Sequence, residues 1–397
     1  MAEVPREVVI TGVGMVSCLG EGPDAHWHRL MEGRPQADAS RFAPYIVHPL
    51  PPIEFDKQIP KKGDQRQMEP WQRIGTFAAG LALGQAGAKG NPELLARMDL
   101  IVAAGGGERD TAVDGTILTG LRHAEEPGAF LNERLMSDLR PTLFLAQLSN
   151  LLAGNISIVH GVTGSSRTFM GEESAGVDAV RISLARIASG QSDIVLVGGA
   201  HNGERPDLLL LREAGGHALK ERFAPVFERA ERGGGIALGS LGAFLVLEAK
   251  DHAQARGARA LARLSRVVSE RTGRGPGELS AMLERMWGHF EGALVPGQYA
   301  VLSGAAGAEP ATSEELRFLA PHAGVPVRAT STYLGHGSDA QFPMNIALAA
   351  VILQHGKLYP ASGAAEADGR IDRLAQIVVT GVGYWRGEGM ALVETAS

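Results

Sequence analysis

The residues that could carry out chemistry in this chain surround a predicted helix start in SSRTFMGEESAGVDAV, residues 165–180. Beyond this start, apolar side chains recur at helical spacing, which predicts a helix that begins near Gly176. The first turn of a helix has unpaired N–H groups and a partial positive charge, so it suits a thiolate or an oxyanion. The side chain at this place is the carboxylate of Glu173, with Glu172 and Ser174 on either side.

Three smaller patterns bear on other kinds of chemistry. His336 and Asp339 lie with a serine in GHGSDA, but a hydrolase triad is a weak interpretation because the Gly-x-Ser-x-Gly elbow is absent. His26 and His28 lack a third ligand, so we expect no metal. The segment GGGERD, residues 105–110, lacks the spacing of a dinucleotide-binding loop, so we expect no cofactor.

The elements that position these residues alternate between strand and helix, which predicts the α/β class. The runs VVITGVG and IVVTGVG, near the two ends of the chain, are close copies, and either an internal duplication or shared composition explains them. Residues 243–270 follow a strand, helix and strand pattern and form a plausible hinge. The predicted strands are 8–14, 100–107, 193–200, 300–307 and 377–383, and the predicted helices are 71–88, 177–189, 276–290 and 340–354.

The composition limits the classes of partner and compartment. A net charge of −6 argues against nucleic acid as a main partner, because phosphate binding needs concentrated Lys and Arg. The single cysteine, Cys18, fits a reducing compartment and excludes an internal disulfide. The sequence shows no signal peptide and no apolar run of bilayer length, so we expect a cytoplasmic protein without membrane insertion.

At nearly full length the chain resembles the β-ketoacyl-acyl-carrier-protein synthases of the thiolase fold. The resemblance depends on the order and spacing of VVITGVGMVSCLGEG, RPTLFLAQLSNLLAGNISIVHGVTG, SDIVLVGGAHN, APVFERAERGGGIALGSLGAFLVLEAKDHAQARGAR and VVTGVGYWRGEGMALVE. It implies an α/β, five-layered αβαβα fold built from two duplicated halves, which we expect at residues 1–250 and 251–397. It also implies condensation of a cysteine-bound acyl group with malonyl on an acyl carrier protein.

The resemblance places altered side chains at most of the catalytic positions. The nucleophilic cysteine of the Cys-x-x-Gly pattern becomes Glu173, or Glu172 or Ser174 if the register slips by one. The first histidine becomes Ser303, with Gly304 as the next candidate, and the lysine becomes Ser331. Gly335 and His336 remain, a glutamate becomes Ser240, and the Gly-Phe-Gly-Gly gate becomes the bulkier GVGYWRGEG. A carboxylate would form a mixed anhydride where a thiolate forms a thioester, so condensation by the usual route is not expected.

The resemblance to cysteine-less, chain-length-factor subunits implies a heterodimer with an active ketosynthase. In such pairs the acyl chain of the partner grows into a tunnel at the interface, and Phe144, Phe169 and Met170 would shape that tunnel. Ordinary core packing is the alternative for these three side chains. We also expect an acyl carrier protein as partner. The acidic carrier would contact the arginines of residues 254–275 or the segment KKGDQR, residues 61–66. The alternative is that these cations are only solvated.

Two other hypotheses treat the chain as an enzyme. His336, with or without Glu173, could decarboxylate malonyl-carrier protein or initiate synthesis, and alternatively it could be a buried structural histidine. Ser174 could be acylated if a base lay beside it. The sequence does not choose between two pathways. One is the synthesis of very-long-chain fatty acids for lipid A, and the other is polyketide or aryl-polyene synthesis.

Overall fold

The computed structural model describes residues 5–322, 324–366 and 368–396, and its elements divide into two sets along the chain. The strands of the first set are β1 (Val8–Ser17), β2 (Gly20–Glu21), β3 (Val47–His48), β4 (Asp99–Ala103), β5 (Ser166–Phe169), β6 (Ile194–His201), β7 (Leu238–Gly239) and β8 (Leu241–Ala249). Its helices are α1 (Gly22–Met31), α2 (Lys62–Gln67), α3 (Pro70–Gln85), α4 (Pro92–Arg97), α5 (Thr111–Leu121), α6 (Pro127–Asp138), α7 (Leu143–Ala146), α8 (Leu151–His160), α9 (Glu173–Ala188) and α10 (Pro206–Ala214).

The second set begins with α11 (Lys250–Ala255). Its strands are β9 (Ala262–Glu270), β10 (Tyr299–Ser303), β11 (Val327–Ala329), β12 (Gln376–Val382) and β13 (Glu388–Thr395). Its other helices are α12 (Glu278–Trp287), α13 (Ala311–Leu319), α14 (Ser331–Leu334) and α15 (Gln341–His355).

The main sheet shows that the two sets repeat one topology. Its strand order is β11-β10-β12-β13-β9-β1-β8-β6-β4-β5. Numbered from the first main strand of each set, both halves have the order 3-2-4-5-1, with the fifth strand antiparallel to its neighbours. In this topology β1 corresponds to β9, and β12 corresponds to β6. The near copies VVITGVG and IVVTGVG are therefore not equivalent strands, and their likeness follows from the composition of buried strands.

The five main strands of each set form one half of the main sheet, called a half-sheet here. Three layers of helices alternate with the two half-sheets and give the expected five layers. Helices α9 and α15 lie in the middle and contact strands of both halves. Helices α3 and α8 cover the outer face of the first half, and α12 and α13 cover that of the second. The central core combines apolar side chains from α9, α15 and both half-sheets, so the halves share one interior. We propose residue 250 as the boundary between them, since β8 ends at Ala249.

Local close approach explains why glycine recurs in β1. A Cβ at Gly14 would lie 1.9 Å from the carbonyl oxygen of Ala78, and one at Gly12 would lie 2.3 Å from that of Ala82. Helix α3 therefore rests directly on the backbone of β1, and a side chain at either position would push it away.

The predicted elements are found, with one correction at the site. The five predicted strands correspond to β1, β4, β6, β10 and β12, and residues 243–270 form strand, helix and strand as expected. Helix α9 begins at Glu173 and not near Gly176. Glu173 is thus the first residue inside the helix, and its N–H is one of the free donors of the first turn.

Candidate functional site

The first turn of α9 follows the edge strand β5 after a tight connection. Gly171 has φ of +135°, a region that residues with a side chain rarely adopt, and it turns the chain from the strand toward the helix. Glu172 occupies the N-cap position, and Glu173 is the next residue. The Glu173 side chain is 3% exposed, so this turn directs a carboxylate into the interior.

His336 reaches the same place from the second half of the chain. It follows the short helix α14 through Gly335, whose φ is +69° and whose missing Cβ would lie 2.7 Å from the Cα of Gly239. The His336 N–H donates to the carbonyl of Ala237 at 2.8 Å, and its own carbonyl accepts from Gly239 at 3.0 Å. These two hydrogen bonds fix the main chain at His336.

The two side chains form a buried, hydrogen-bonded pair. His336 Nε2 lies 2.7 Å from Glu173 Oε1, and both residues are buried. Burial alone would raise the pKa of Glu173, but the hydrogen bond and charge of His336, with the charge of Arg212, outweigh it and hold that pKa below its usual range. Such a pair is costly to break, because removing one partner leaves the other polar group buried and unsatisfied.

The neighbouring acylation candidates lack a base. Among the described residues, the Ser174 hydroxyl makes no hydrogen bond, so no group there activates it. The Glu172 carboxylate instead accepts a hydrogen bond from the Tyr384 hydroxyl at 3.0 Å. Of Glu172, Glu173 and Ser174, only Glu173 is buried, and its equivalence to the nucleophile stays a prediction.

Ser303 belongs to a separate buried network. Its hydroxyl donates to Glu315 Oε1 at 2.9 Å, and the Thr380 hydroxyl donates to the same oxygen at 2.5 Å. No hydrogen bond joins Ser303 to Glu173 or His336 among the described residues. Burial raises the pKa of Glu315 to about 7, although the two hydroxyls lower it in part.

The Glu315→Gln variant should change how stability depends on pH. Between pH 4.5 and about 7 the folded chain keeps a proton on Glu315 that the unfolded chain has lost, so the free energy of unfolding falls as pH rises through this window. The full effect is on the order of 3 kcal/mol. Glutamine removes the titration, and denaturant unfolding across this range should show a flatter slope than in the wild type.

The adjacent residue provides the control. The pKa of Glu314 is lowered, because hydrogen bonds from Ser280, Gly277 and Arg317 outweigh its burial. Its stabilisation is present above pH 4.5 and is lost as pH falls through its folded pKa. Glu314→Gln should therefore flatten the acid limb and leave the slope between pH 4.5 and 7 as in the wild type. An unchanged slope in Glu315→Gln would contradict the prediction.

Sequence reasoning missed a second His–carboxylate pair beside the first. His201 Nδ1 lies 3.7 Å from Asp339 Oδ1. Burial raises the pKa of Asp339, with a further rise from the charge of Glu173, while His201 opposes both. GHGSDA was the only signal in the sequence, and it pointed to a hydrolase triad. The pairing with His201 connects β6 to the loop after α14 and could not be found from spacing.

Comparisons with known proteins show the family and the fold. The family model described as Beta-ketoacyl synthase, N-terminal domain, matches residues 5–253, more than half of the chain. The chain belongs to the β-ketoacyl synthase family. The 3-oxoacyl-[acyl-carrier-protein] synthase 2 of Vibrio cholerae is 27% identical over 64% of this chain and 60% of its own length. The chain thus spans about three fifths of the length of the synthase relatives it matches first.

Two further proteins are similar over most of the chain. The actinorhodin polyketide putative β-ketoacyl synthase 2 of Streptomyces coelicolor is 26% identical over 90% of this chain and 88% of its own length. The solved structure of the ishigamide ketosynthase/chain length factor superposes with a TM-score of 0.80 at 20% identity, covering 99% of this chain and 100% of that chain. The last likeness shows the fold, which is the expected thiolase-like α/β fold.

Ser331 and Ser240, two further predicted positions, make no hydrogen bond to Glu173 or His336 in the described part of the chain. Ser331 is fully buried, and its hydroxyl has no hydrogen-bond partner in the part of the chain that the structure describes. Ser240 accepts from the N–H of Gly203 at 3.1 Å and lies 3.0 Å from Glu204 Oε2. Both serines are thus placed to fill space or support loops.

Two of the three predicted tunnel residues are on the surface. Phe144 is 74% exposed and Met170 is 70% exposed, so core packing is wrong for both. Phe169 is partly buried against the central core at the end of β5. β5 has a neighbour on one side only, β4, and its other edge is open.

Cys18, His26 and His28 are hydrogen-bonded to neighbouring groups of the fold. Burial raises the pKa of the Cys18 thiol to about 12, and the thiol donates to the carbonyl of Tyr333. His26 contacts the Ser17 hydroxyl, and the ring of His28 contacts a backbone carbonyl of its own helix. Within residues 5–322, 324–366 and 368–396, no three His, Cys, Asp or Glu side chains converge as a metal would need, and no helix has the length and apolar character to cross a bilayer.

Proposed function

We propose that this chain is a non-condensing β-ketoacyl synthase subunit that pairs with an active ketosynthase and shapes its acyl tunnel. The observation that carries the proposal is the buried contact of 2.7 Å between Glu173 and His336. A carboxylate at the nucleophile position cannot form a thioester. The remaining imidazole directs Nε2 at that carboxylate, so this nitrogen is not free to polarise a substrate carbonyl.

The loss of the other groups supports the same role. Ketosynthases use two imidazoles to polarise the malonyl carbonyl, and losing one such donor costs on the order of 100-fold or more. In this chain Ser303 takes the place of the first imidazole and bonds to Glu315 instead. The scaffold around these positions is retained, which fits a subunit that works through its shape.

The exposed apolar surface supports pairing with a second chain. Nine of the thirteen large hydrophobic side chains that are exposed among the described residues lie between residues 118 and 170. They come from helices α5 to α8, from the connection between α7 and α8 and from the residue after β5: Leu118, Leu131, Leu135, Met136, Phe144, Leu145, Leu148, Ile158 and Met170. Exposed apolar patches of this kind mark protein interfaces, and the open edge of β5 adds backbone groups that a partner strand could pair. The similarity in fold to a ketosynthase/chain length factor supports the same kind of partner.

A basic pocket near the start of α3 suits an acidic acyl carrier protein. Its volume is about 450 Å³, and its cations are Lys62, Arg66, Arg73 and Arg140, with Glu69 as the acidic residue. Ion pairs do not separate the two candidates, because Lys62 pairs with Asp56 and Arg140 with Glu69, just as Arg256 pairs with Glu248 and Arg274 with Glu388. We propose the KKGDQR segment as the carrier contact because Lys62 and Arg66 share one pocket with Arg73 and Arg140. The name of the Vibrio relative, an acyl-carrier-protein synthase, supports this partner.

Within this proposal the chain takes part in one of two pathways. They are fatty-acid synthesis, including that of very-long-chain fatty acids for lipid A, and polyketide synthesis. The relatives named above include a fatty-acid-type synthase and a polyketide synthase. Product analysis of the reconstituted pair by mass spectrometry distinguishes the two.

The test begins with the purified chain alone. Incubated with acyl-carrier and malonyl-carrier protein, it should keep its intact mass and form no acetyl-carrier protein, because Glu173 and His336 occupy each other. An active ketosynthase under the same conditions is the positive control. Co-expressed with an active ketosynthase from the same genome, the chain should give a one-to-one complex by native mass measurement, and that complex should condense.

Two outcomes would overturn the proposal. Rapid formation of acetyl-carrier protein that disappears in His336→Ala would identify a malonyl-carrier decarboxylase. An acyl adduct that disappears in Ser174→Ala would identify an unconventional condensing enzyme.

A further inference from the structure

The loop between β12 and β13 lies on the first turn of α9. This segment, residues 383–387, is called the closing loop here. A Cβ at Gly387 would lie 2.6 Å from the Cβ of Ser174, so the loop touches the residue next to Glu173. Its ends are held together by a hydrogen bond from the Gly383 N–H to the Gly387 carbonyl at 2.9 Å.

Tyr384 joins the closing loop to two helices. Its hydroxyl accepts a hydrogen bond from Arg212 Nη1 at 2.5 Å and donates one to Glu172 Oε1 at 3.0 Å. Arg212 belongs to α10, and Glu172 caps α9. The Arg212 guanidinium also lies 4.5 Å from the centre of the Tyr384 ring, and the edge of His217 packs at 5.2 Å.

These contacts are strong for a surface loop. Both hydrogen bonds of the hydroxyl involve a charged group, and such bonds are about twice as strong as neutral ones. Arg212 is 8% exposed, so water competes little for it. It also lies close enough to the site for its charge to contribute to the lowered pKa of Glu173.

We propose that Tyr384 is a latch that holds the closing loop shut over the first turn of α9 and thereby seals the Glu173–His336 pair from solvent. The proposal concerns access to the site and goes beyond the proposed function, which concerns its chemistry. In the closed loop Trp385 is 63% exposed and Arg386 is exposed as well, so neither side chain is buried in the site. The bulk of GVGYWRGEG thus serves to fasten the loop and not to fill the pocket.

The test compares the wild-type chain with Tyr384→Phe, which keeps the ring and removes both hydrogen bonds of the hydroxyl. Amide hydrogen exchange in the peptide that covers 383–388 should become at least tenfold faster, because the loop loses both of its charge-assisted hydrogen bonds. Carboxyl labelling with a carbodiimide and glycine ethyl ester, read by peptide mass spectrometry, should leave Glu173 unmodified in the wild type and modify it in Tyr384→Phe.

Matched controls separate the latch from a general loosening of the fold. Tyr299→Phe, which also removes one tyrosine hydroxyl, should leave exchange at 383–388 unchanged. Labelling of the exposed Glu278 should be equal in all variants. Glu172→Ala, which removes the acceptor side of the latch, should also speed exchange in the closing loop. Equal exchange and equal Glu173 labelling in Tyr384→Phe and the wild type would overturn the latch and leave the proposed function untouched, because neither readout depends on condensation.

Discussion

The Glu173→Ala variant is expected to unfold with a free energy about 1–3 kcal/mol below that of the wild-type chain at neutral pH, because it leaves a buried polar group without its hydrogen-bond partner. The substitution leaves His336, which is fully buried, without its partner at 2.7 Å. The effect should fade in acid. The folded pKa of Glu173 is lowered, so the stabilisation from its charge is present above pH 4.5 and is lost as pH falls through the folded value. Denaturant unfolding at a series of pH values measures both features.

A carboxylate at the same position of another helix gives the control. Glu278 is the first residue of α12 and is exposed, so it acts on the helix dipole without a buried partner. Glu278→Ala should therefore lower the free energy of unfolding by only about 0.3–1 kcal/mol. A similar small cost for Glu173→Ala would mean that Glu173 serves the helix terminus alone. In the double variant with His336→Ala, the second substitution should cost much less than it does alone, because the pair is already broken.

The architecture could be predicted because its signals are local. The buried strands β1, β6 and β12 are continuous runs of Val, Ile and Leu with glycine, and such runs are typical of strands covered on both faces. Helical spacing found α9 and α15 in the same way. The start of α9 was missed by three residues, because the apolar pattern begins after a polar first turn that contains Glu173.

The site could be predicted in part, because its contacts join distant parts of the chain. The order of motifs placed Glu173 and His336 in one family pattern, but their direct pairing spans 163 residues of sequence. The hydrogen bond from Tyr384 to Glu172 spans 212 residues. No periodicity signals such a contact, and it becomes visible only when the two halves pack around α9 and α15. The role of each replaced side chain stays a prediction that the experiments above test.

The double variant Phe144→Asp with Met170→Asp is expected to dissociate the proposed heterodimer, raising its Kd at least about 100-fold. Truncating an apolar anchor at the centre of an interface costs about 2 kcal/mol or more, and a buried carboxylate adds its desolvation. Both side chains are mostly exposed in the single chain, so the substitutions should leave its own free energy of unfolding within about 0.5 kcal/mol. Light scattering and native mass measurement of the co-expressed pair report the dissociation.

Val295→Asp is the matched control, since Val295 is also exposed, at 43%, but lies in the second half of the chain, away from residues 118–170. It should leave the complex intact. The comparison matters because an exposed apolar residue is ordinary when it is isolated and informative when it belongs to a patch beside an open strand edge. If the double variant stays paired as tightly as the control, the face that includes Phe144 and Met170 is not where the subunits meet, and their side chains cannot shape a shared acyl tunnel.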